Sequence, residues 1–275
     1  MTEPSSRATP SRSARRVRCL PVGLVLLALG LLTPREAVAQ IVNVQAFFDE
    51  ATAPLGMSGG AELSLDWRTG STHLLVARGL MLGQWRTEKH TVLGMVRGEY
   101  GFARDELIVS KVLEHLRYRY RLTDWLAGET FLQHELDAFR RLRLRALVGA
   151  GPRFTLRSTE ASSLVLGVAV MLEYEQLRHD DQPDAGKEQL DPRLSSYVLG
   201  RVRLMENMSL VETLYAQPRL TRFSDIRLLN DTSLVVEVNK RLTFSTGLIL
   251  TYDSAPPANV SRFDTQLRSG IGVKF

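Results

Sequence analysis

FDTQLRSGIGVKF, residues 263–275, ends the chain with side chains that alternate between an apolar and a polar face. A period of two is typical of a β-strand that separates two environments. Soluble strands are usually about five or six residues long, whereas a tilted strand that crosses a membrane needs about nine to eleven. The stretch therefore predicts a membrane-crossing strand.

The same alternation recurs along the chain from residue 57. We place twelve strands at 57–68, 72–85, 90–100, 106–120, 125–136, 141–154, 163–176, 194–204, 208–219, 227–238, 242–252 and 263–275. An even number of long strands suits a closed antiparallel barrel, which leaves no backbone edge in the hydrocarbon. The predicted fold is an all-β transmembrane antiparallel barrel of about twelve strands. A soluble barrel with its apolar face inward is the alternative for any one strand.

The predicted links fall into two classes. Every second link is short: 86–89, 121–124, 157–162, 205–207 and 239–241. The intervening class includes three longer polar links at 178–193, 220–226 and 254–262, and one tight turn at 69–71. Outer-membrane barrels have short periplasmic turns and longer external loops. This pattern predicts that the N-terminus lies in the periplasm.

The N-terminus has the features of an export signal. The apolar run Leu20–Leu32 follows five arginines and precedes Ala37-Val38-Ala39, which predicts a signal peptide over 1–39 that is cleaved near Ala39. A membrane anchor is the alternative, although the run is shorter than the roughly 20 residues of a full span. Residues 40–56 would form a periplasmic N-terminal segment, either a short helix, an extra strand or a plug, and 57–275 the barrel.

Composition excludes several classes of protein. The single cysteine, Cys19, lies in the predicted signal, so disulfide scaffolds and cysteine zinc sites are excluded. The net charge of +5 suggests an anionic partner, but residues 1–39 hold six of the 35 basic and two of the 30 acidic residues. The remainder carries 29 basic and 28 acidic residues, a net +1, and nucleic acid is not an expected partner.

Charged residues occupy the polar faces of several predicted strands. The candidate lumen-lining residues are Arg141, Arg143, Arg145, Glu173, Glu175, Arg201 and Arg203. The first three arginines would stack along one wall and favour anions. Alternatively, they would pair with Glu173 and Glu175 on the next strand. Barrel size does not decide between these readings. We therefore expect a structural barrel or a narrow passive channel, and the arginines would make such a channel prefer anions.

Signals for chemistry are sparse. The five histidines show no metal-binding spacing, and no Gly-x-Ser-x-Gly motif occurs. We expect no catalytic residue, metal site or cofactor, and no enzyme activity. An outer-membrane hydrolase of the phospholipase type is the alternative function, and His134, near the external end of its strand, is the position to test for it.

A family resemblance rests on residues from several strands. They are the stretch Phe131–Arg145 with Gly149-Ala150-Gly151-Pro152, Leu166-Gly167-Val168, Glu173-Tyr174-Glu175, Tyr252-Asp253-Ser254-Ala255-Pro256-Pro257, Asp264 and Phe275, and the turn Gly70-Ser71-Thr72. Over Gly59–Phe275 the chain resembles the salt-induced outer membrane protein family. The resemblance implies a Gram-negative outer-membrane barrel of undefined function, with no catalytic residues to transfer.

The last residue has a separate interpretation. Phe275, with Val273 and Ile271 at alternate positions before it, resembles the signal by which outer-membrane assembly machinery recognises its clients. Phe275 is otherwise simply the last outward side chain of the last strand. The expected partners are outer-membrane lipid and this machinery.

Overall fold

The computed structural model describes residues 55–68, 73–104 and 106–274. These residues form twelve strands, each antiparallel to its neighbours in chain order, in one closed barrel. The strands are β1 (Gly56–Arg68), β2 (Leu74–Arg86), β3 (His90–Ala103), β4 (Glu106–Arg121), β5 (Leu126–Asp137), β6 (Leu142–Ser158), β7 (Ser162–Leu177), β8 (Glu188–Met205), β9 (Met208–Arg219), β10 (Arg222–Glu237), β11 (Leu242–Asp253) and β12 (Phe263–Lys274). The predicted fold is confirmed.

The wall has its apolar face outside. On β4, Leu113, His115 and Arg117 are buried in the interior, whereas Leu116 and Tyr118 between and beyond them are exposed. The interior is charged, with small apolar clusters such as Leu80, Leu93, Met95 and Leu113 packed within it. A soluble barrel would place its large apolar residues inside. Here the apolar side chains face outward and the polar ones inward, as in a membrane barrel.

The links differ at the two ends of the barrel. Two longer loops, 178–187 and 254–262, lie at one end, which we call the loop end. The opposite end, the turn end, has links of two to four residues: 87–89, 122–125, 159–161, 206–207 and 238–241. This agrees with the predicted two classes. No described residue belongs to a helix long and apolar enough to span a membrane.

Two predicted loops were too long. The link expected at 220–226 is only 220–221, because β10 begins at Arg222, and the link expected at 178–193 ends at residue 187. Asp191, Arg193 and Asp225 are polar but buried, with partners inside the barrel. In the sequence, these polar residues suggest loops. In the structure they belong to two extended strands, and their side chains point into the interior of the barrel.

Several predictions concern residues outside the described ranges. They are the signal peptide of 1–39, nearly all of the N-terminal segment of 40–56, the turn at 69–71 and the terminal Phe275. The other two residues of the predicted assembly signal, Ile271 and Val273, are exposed on the outer face. The proposed role of the C-terminal residues stays a prediction.

Candidate functional site: the charged interior

Glu173 is the centre of an ion-pair network near the loop end. Its carboxylate lies 2.5 Å from Nη2 of Arg145, 3.0 Å from Nε of Arg193 and 2.7 Å from Nη1 of Arg227. These arginines stand on β6, β8 and β10, and all four side chains are at least 95% buried. The charge-assisted bonds therefore connect four strands through the interior.

The network continues outward from this centre. Arg193 also binds Asp225 at 2.9 Å, and Arg227 binds Asp253 at 2.9 Å and Glu175 at 3.0 Å. The loop-end network consists of Lys111, Arg140, Arg145, Arg193, Arg219, Arg227, Glu135, Asp137, Glu173, Glu175, Asp191, Asp225 and Asp253. Its six basic and seven acidic residues nearly balance. The loop-end half of the interior is thus filled by paired charges.

A second cluster lies nearer the turn end and has a different charge balance. Glu129 accepts hydrogen bonds from Nη1 of Arg117 at 2.9 Å, from Nε of Arg119 and from the Tyr197 hydroxyl at 2.8 Å. Nε of Arg153 lies 3.6 Å from the same carboxylate. Three buried guanidinium groups therefore surround one carboxylate. We call these five residues the turn-end cluster; its formal charge is +2.

Side chains fill the space between the two groups. A cavity of about 20 Å³ lies there, bordered by His115, Gln133, Arg145 and Tyr215. It has room for about one water molecule. The Arg117 guanidinium stacks 4.9 Å from the centre of the Phe131 ring, and both side chains border this cavity. At this level the side chains of β4, β5, β6, β8 and β9 leave only this small cavity between them.

The predicted lumen-lining residues separate into two groups. Arg145 and Glu173 are both central, and they pair with each other as the alternative interpretation expects. Glu175 faces inward but binds Arg227 rather than an arginine of β6. Arg201 also faces inward, and its Nη2 lies 3.2 Å from the Ser209 hydroxyl.

The predicted stack of three arginines was wrong. Arg141 precedes β6 in a turn and has a positive φ of 59°. Arg143 is exposed at a bulge, where the pairing passes from Leu142–Leu177 to Leu144–Gln176. The extra residue breaks the period of two, so only Arg145 lies in the interior. Arg203 is also exposed, at the turn end of β8.

Most members of the loop-end network and the turn-end cluster were not among the predicted lumen-lining residues. The signal for Arg117 and Arg119 was present, because they alternate with Leu116 and Tyr118 within a predicted strand. Arg193 and Asp225 were assigned to loops. Their place could have been found only by extending the alternation of β8 and β10 through polar residues and Pro192.

His134 does not have the surroundings that a phospholipase would need. It faces outward, and its Nδ1 lies 3.5 Å from Glu114 of β4. No serine hydroxyl forms a hydrogen bond with its ring in the part of the chain that the structure describes. Within the same residues, no group of three or more potential ligands could hold a metal ion.

Arg141 joins the two longer loops across the loop end. Its guanidinium binds Asp180 at 2.6 Å, Asp184 at 2.5 Å and the carbonyl oxygen of Ala258 at 3.0 Å. The N–H of Ala258 in turn donates to Asp184 at 2.8 Å. We call these four residues the loop clamp. The clamp holds the loops 178–187 and 254–262 against each other and against the β5–β6 turn.

The charges of the clamp stabilise one another. The hydrogen bond from Arg141 lowers the pKa of Asp180, and the same bond raises the pKa of Arg141. Burial alone would raise the pKa of Asp184, but the Ala258 N–H and Arg141 outweigh it and lower this pKa. Carboxyl groups with lowered pKa values stabilise the clamp above their ordinary pKa, and this contribution is lost as the pH falls through the lowered values.

We expect acid to release the clamp. A fluorescent label on Ala185→Cys should have high anisotropy at pH 7 and low anisotropy well below the ordinary aspartate pKa of about 3.9, because protonated Asp180 and Asp184 no longer bind Arg141. Adding Arg141→Gln should lower the anisotropy already at pH 7. Lys187→Gln, an exposed residue of the same loop, is the matched control. Anisotropy that is independent of pH in both backgrounds would contradict the clamp.

Solved structures with a similar fold are outer-membrane barrels. The COG4313 outer membrane channel from Pseudomonas putida F1 has a TM-score of 0.52 and 12% identity, covering 86% of this chain and 100% of that one. The translocator domain of the autotransporter NalP from Neisseria meningitidis has a TM-score of 0.48 and 10% identity, covering 82% and 89%. The NanC porin has 0.46 and 10%, covering 80% and 99%. At such identities the likeness establishes the fold alone.

Sequence comparison gives the family. No curated protein matches this chain. A family model matches residues 61–275, which run from within β1 to Phe275. The match does not carry the name salt-induced. The chain belongs to the family described as "Protein of unknown function, DUF481".

Proposed function

We propose that this protein is an outer-membrane barrel whose lumen is closed at rest and conducts small anions only when its interior ion pairs rearrange. The observation that carries the proposal is Glu173, which binds three arginines from three other strands. A barrel of twelve strands lies between small barrels filled by side chains and large open porins. Barrel size alone therefore does not close the lumen, and we assign its closure to the loop-end network.

Location in the outer membrane is supported by several features. The fold is that of outer-membrane barrels, the outer face is apolar, and the N-terminal sequence has the pattern of an export signal. The short links of the turn end would then face the periplasm, and the loop clamp would face the exterior. This orientation places the loop-end network directly beneath the external loops.

Anion preference is supported by the turn-end cluster. Arg117, Arg119 and Arg153 all lie against the Glu129 carboxylate, so a solute that passed this level would meet three guanidinium groups. Fixed positive charge that lines a passage favours anions and excludes cations. The loop-end network, in which the charges nearly balance, gives no such preference and acts as the closure.

Single-channel recording in planar bilayers tests the closure. We expect the full chain to be almost silent, with brief small openings. Glu173→Gln should raise the fraction of time open about tenfold or more, because each ~1.4 kcal/mol of lost closed-state stability changes the open-to-closed ratio tenfold. Glu160→Gln in the exposed β6–β7 turn is the control. A large steady conductance in the unaltered chain would contradict closure, and silence in Glu173→Gln would indicate a purely structural barrel.

Reversal potentials in a salt gradient test the selectivity of those openings. In the Glu173→Gln background, the potential should indicate anion preference, and Arg119→Gln should move it toward zero by removing one of three cluster charges. Arg157→Gln, which changes an exposed arginine at the turn end, should leave it unchanged. Cation preference in the Glu173→Gln background would overturn the assignment.

A further inference from the structure

A group of polar residues interrupts the apolar outer face of the barrel. It consists of Glu212 on β9 and of Asn230 and Thr232 on β10, all three half-buried. Glu212 precedes the buried Thr213, and Asn230 and Thr232 flank the buried Asp231. Because side chains alternate along a strand, the three polar residues lie on the outward side. We call them the outer cluster.

The side chains of the outer cluster bind one another. The Glu212 carboxylate accepts hydrogen bonds from the Asn230 amide and, at 2.5 Å, from the Thr232 hydroxyl. Within the described residues it forms no ion pair, whereas the outward-facing Glu114 lies 3.5 Å from Nδ1 of His134. A carboxylate has about four acceptor sites and an asparagine amide has two N–H groups. The outer cluster can therefore form further hydrogen bonds with a partner.

The outer cluster lies midway across the membrane. On β11 the outward-facing Phe244 and Tyr252 lie near the two ends of the strand, and Leu248, halfway between them, pairs with Thr232. Aromatic residues mark both interfaces of an outer-membrane barrel, whose apolar band is about 25 Å tall. At ~3.3 Å per residue and a tilt of ~40°, Phe244 and Tyr252 are separated by roughly 20 Å along the membrane normal. Thr232 is thus near the middle of the band.

Lipid cannot satisfy polar groups at this depth. Hydrocarbon chains contain no hydrogen-bond donors or acceptors, so polar and ionisable side chains in the membrane usually bind other protein groups. The side chains around the outer cluster are apolar and exposed, namely Leu210, Leu214, Leu228 and Leu248. A protein surface with polar groups at the same depth therefore fits this face better than lipid does.

A second copy of the chain supplies such a surface. Two copies that are inserted in the same direction can be related by a two-fold axis along the membrane normal, so each residue meets residues at its own depth. A two-fold interface requires a self-complementary patch. The outer cluster contains an acceptor in Glu212 and donors in Asn230 and Thr232, so two opposed clusters complement each other.

A groove beside the outer cluster permits close approach. Its volume is about 460 Å³, and it is lined by Asn230 itself together with Ser196, Ala216, Leu228 and Tyr252. Small residues at interfaces within membranes let two backbones approach closely. Polar and apolar contacts to one partner are therefore available on one continuous face of β8–β11.

We propose that the outer face of β9 and β10 is the interface of a homodimer in the membrane. Asn230 of one subunit donates to Glu212 of the partner subunit and the reverse, while the surrounding leucines pack together and exclude lipid from these bonds. The dimer rests on the proposed membrane location and is independent of conduction through the lumen, so a silent barrel in bilayers does not affect it.

Bismaleimide cross-linking in lipid vesicles tests the position of the interface. Every variant carries Cys19→Ser, which removes the only native cysteine. Leu214→Cys, which changes the residue paired with Asn230, should give a cross-linked dimer. Leu132→Cys on β5, where the leucine is similarly exposed, should remain monomeric. Equal cross-linking at both positions would indicate random collision and overturn the proposal.

Removal of the carboxylate tests the polar contact. Single-molecule photobleaching of the labelled chain in vesicles, over a series of protein-to-lipid ratios, gives the association constant of the dimer. Glu212→Leu should lower this constant about tenfold or more, because both reciprocal hydrogen bonds are lost. Leucine suits hydrocarbon, so the variant should fold as fully as the unaltered chain, which far-UV circular dichroism checks.

Glu114→Leu is the matched control, since it removes an outward-facing carboxylate from β4, away from the proposed interface. It should leave the association constant unchanged. An unaltered chain that is monomeric at every ratio would overturn the dimer. An association constant that is the same for Glu212→Leu and the unaltered chain, or that falls equally for Glu114→Leu, would overturn the role of the outer cluster.

Discussion

Glu173→Gln should destabilise the folded barrel by about 3–5 kcal/mol, because it removes one partner from a buried ion-pair network. Glutamine keeps the size of the side chain but leaves Arg145, Arg193 and Arg227 without the charge that they share. Arg193 and Arg227 keep Asp225 and Asp253 as partners, so the expected loss is that of the one carboxylate that joins the three arginines. The midpoint of urea unfolding in lipid vesicles measures the loss.

The control for this variant is Glu160→Gln. Glu160 lies exposed in the turn between β6 and β7, so removing its charge should change the free energy of unfolding by less than ~0.5 kcal/mol. If Glu173→Gln unfolded at the same urea concentration as the unaltered chain, the network would contribute nothing to closure, and the assignment of Glu173 as its centre would be wrong.

Gly151→Ala should destabilise the wall by about 1–3 kcal/mol, the usual cost of overpacking. A Cβ atom at Gly151 would collide with the carbonyl oxygen of Val168 and with the Cα of Ala169, both backbone atoms of β7. A side chain could rotate away, but a paired strand can yield only by separating from its neighbour. Pro152 follows Gly151 and has no N–H to bind β7, so the wall tolerates close approach here.

Gly200→Ala is the matched control, since it adds the same methyl group to another strand of the wall. Nothing lies within 4 Å of the Cβ position at Gly200. The unfolding midpoint should fall for Gly151→Ala and remain nearly unchanged for Gly200→Ala. Equal effects would show that the loss comes from glycine replacement in general rather than from contact with β7.

The prediction of site residues succeeded where the period of two was unbroken. Arg145 and Glu173 lie on the inner faces of neighbouring strands, as the alternation indicates, and they bind each other although Glu175 is the residue opposite Arg145. It failed at Arg141 and Arg143, because one bulged residue shifts every preceding side chain to the other face. A bulge depends on pairing with both neighbours and has no clear signal in a single strand.

Distant partners could not be predicted either. Arg227 binds Glu173 although 53 residues lie between them in sequence, and β10 is three strands from β7. The contact forms because both side chains point inward and the curvature of the closed wall brings strands that are not neighbours within reach. Alternation indicates which residues face inward but not which of them meet across the lumen.

The amino-acid sequence by itself determined the class of fold, the number of strands, the apolar face and the end of the barrel that carries the longer loops. These properties are local, since they follow from periodicity within each strand and from the polarity of the links. Only the tertiary structure decided that buried ion pairs connect four strands around Glu173 and that three arginines surround Glu129. Those depend on the register and curvature of the closed sheet, which place residues from distant strands in contact.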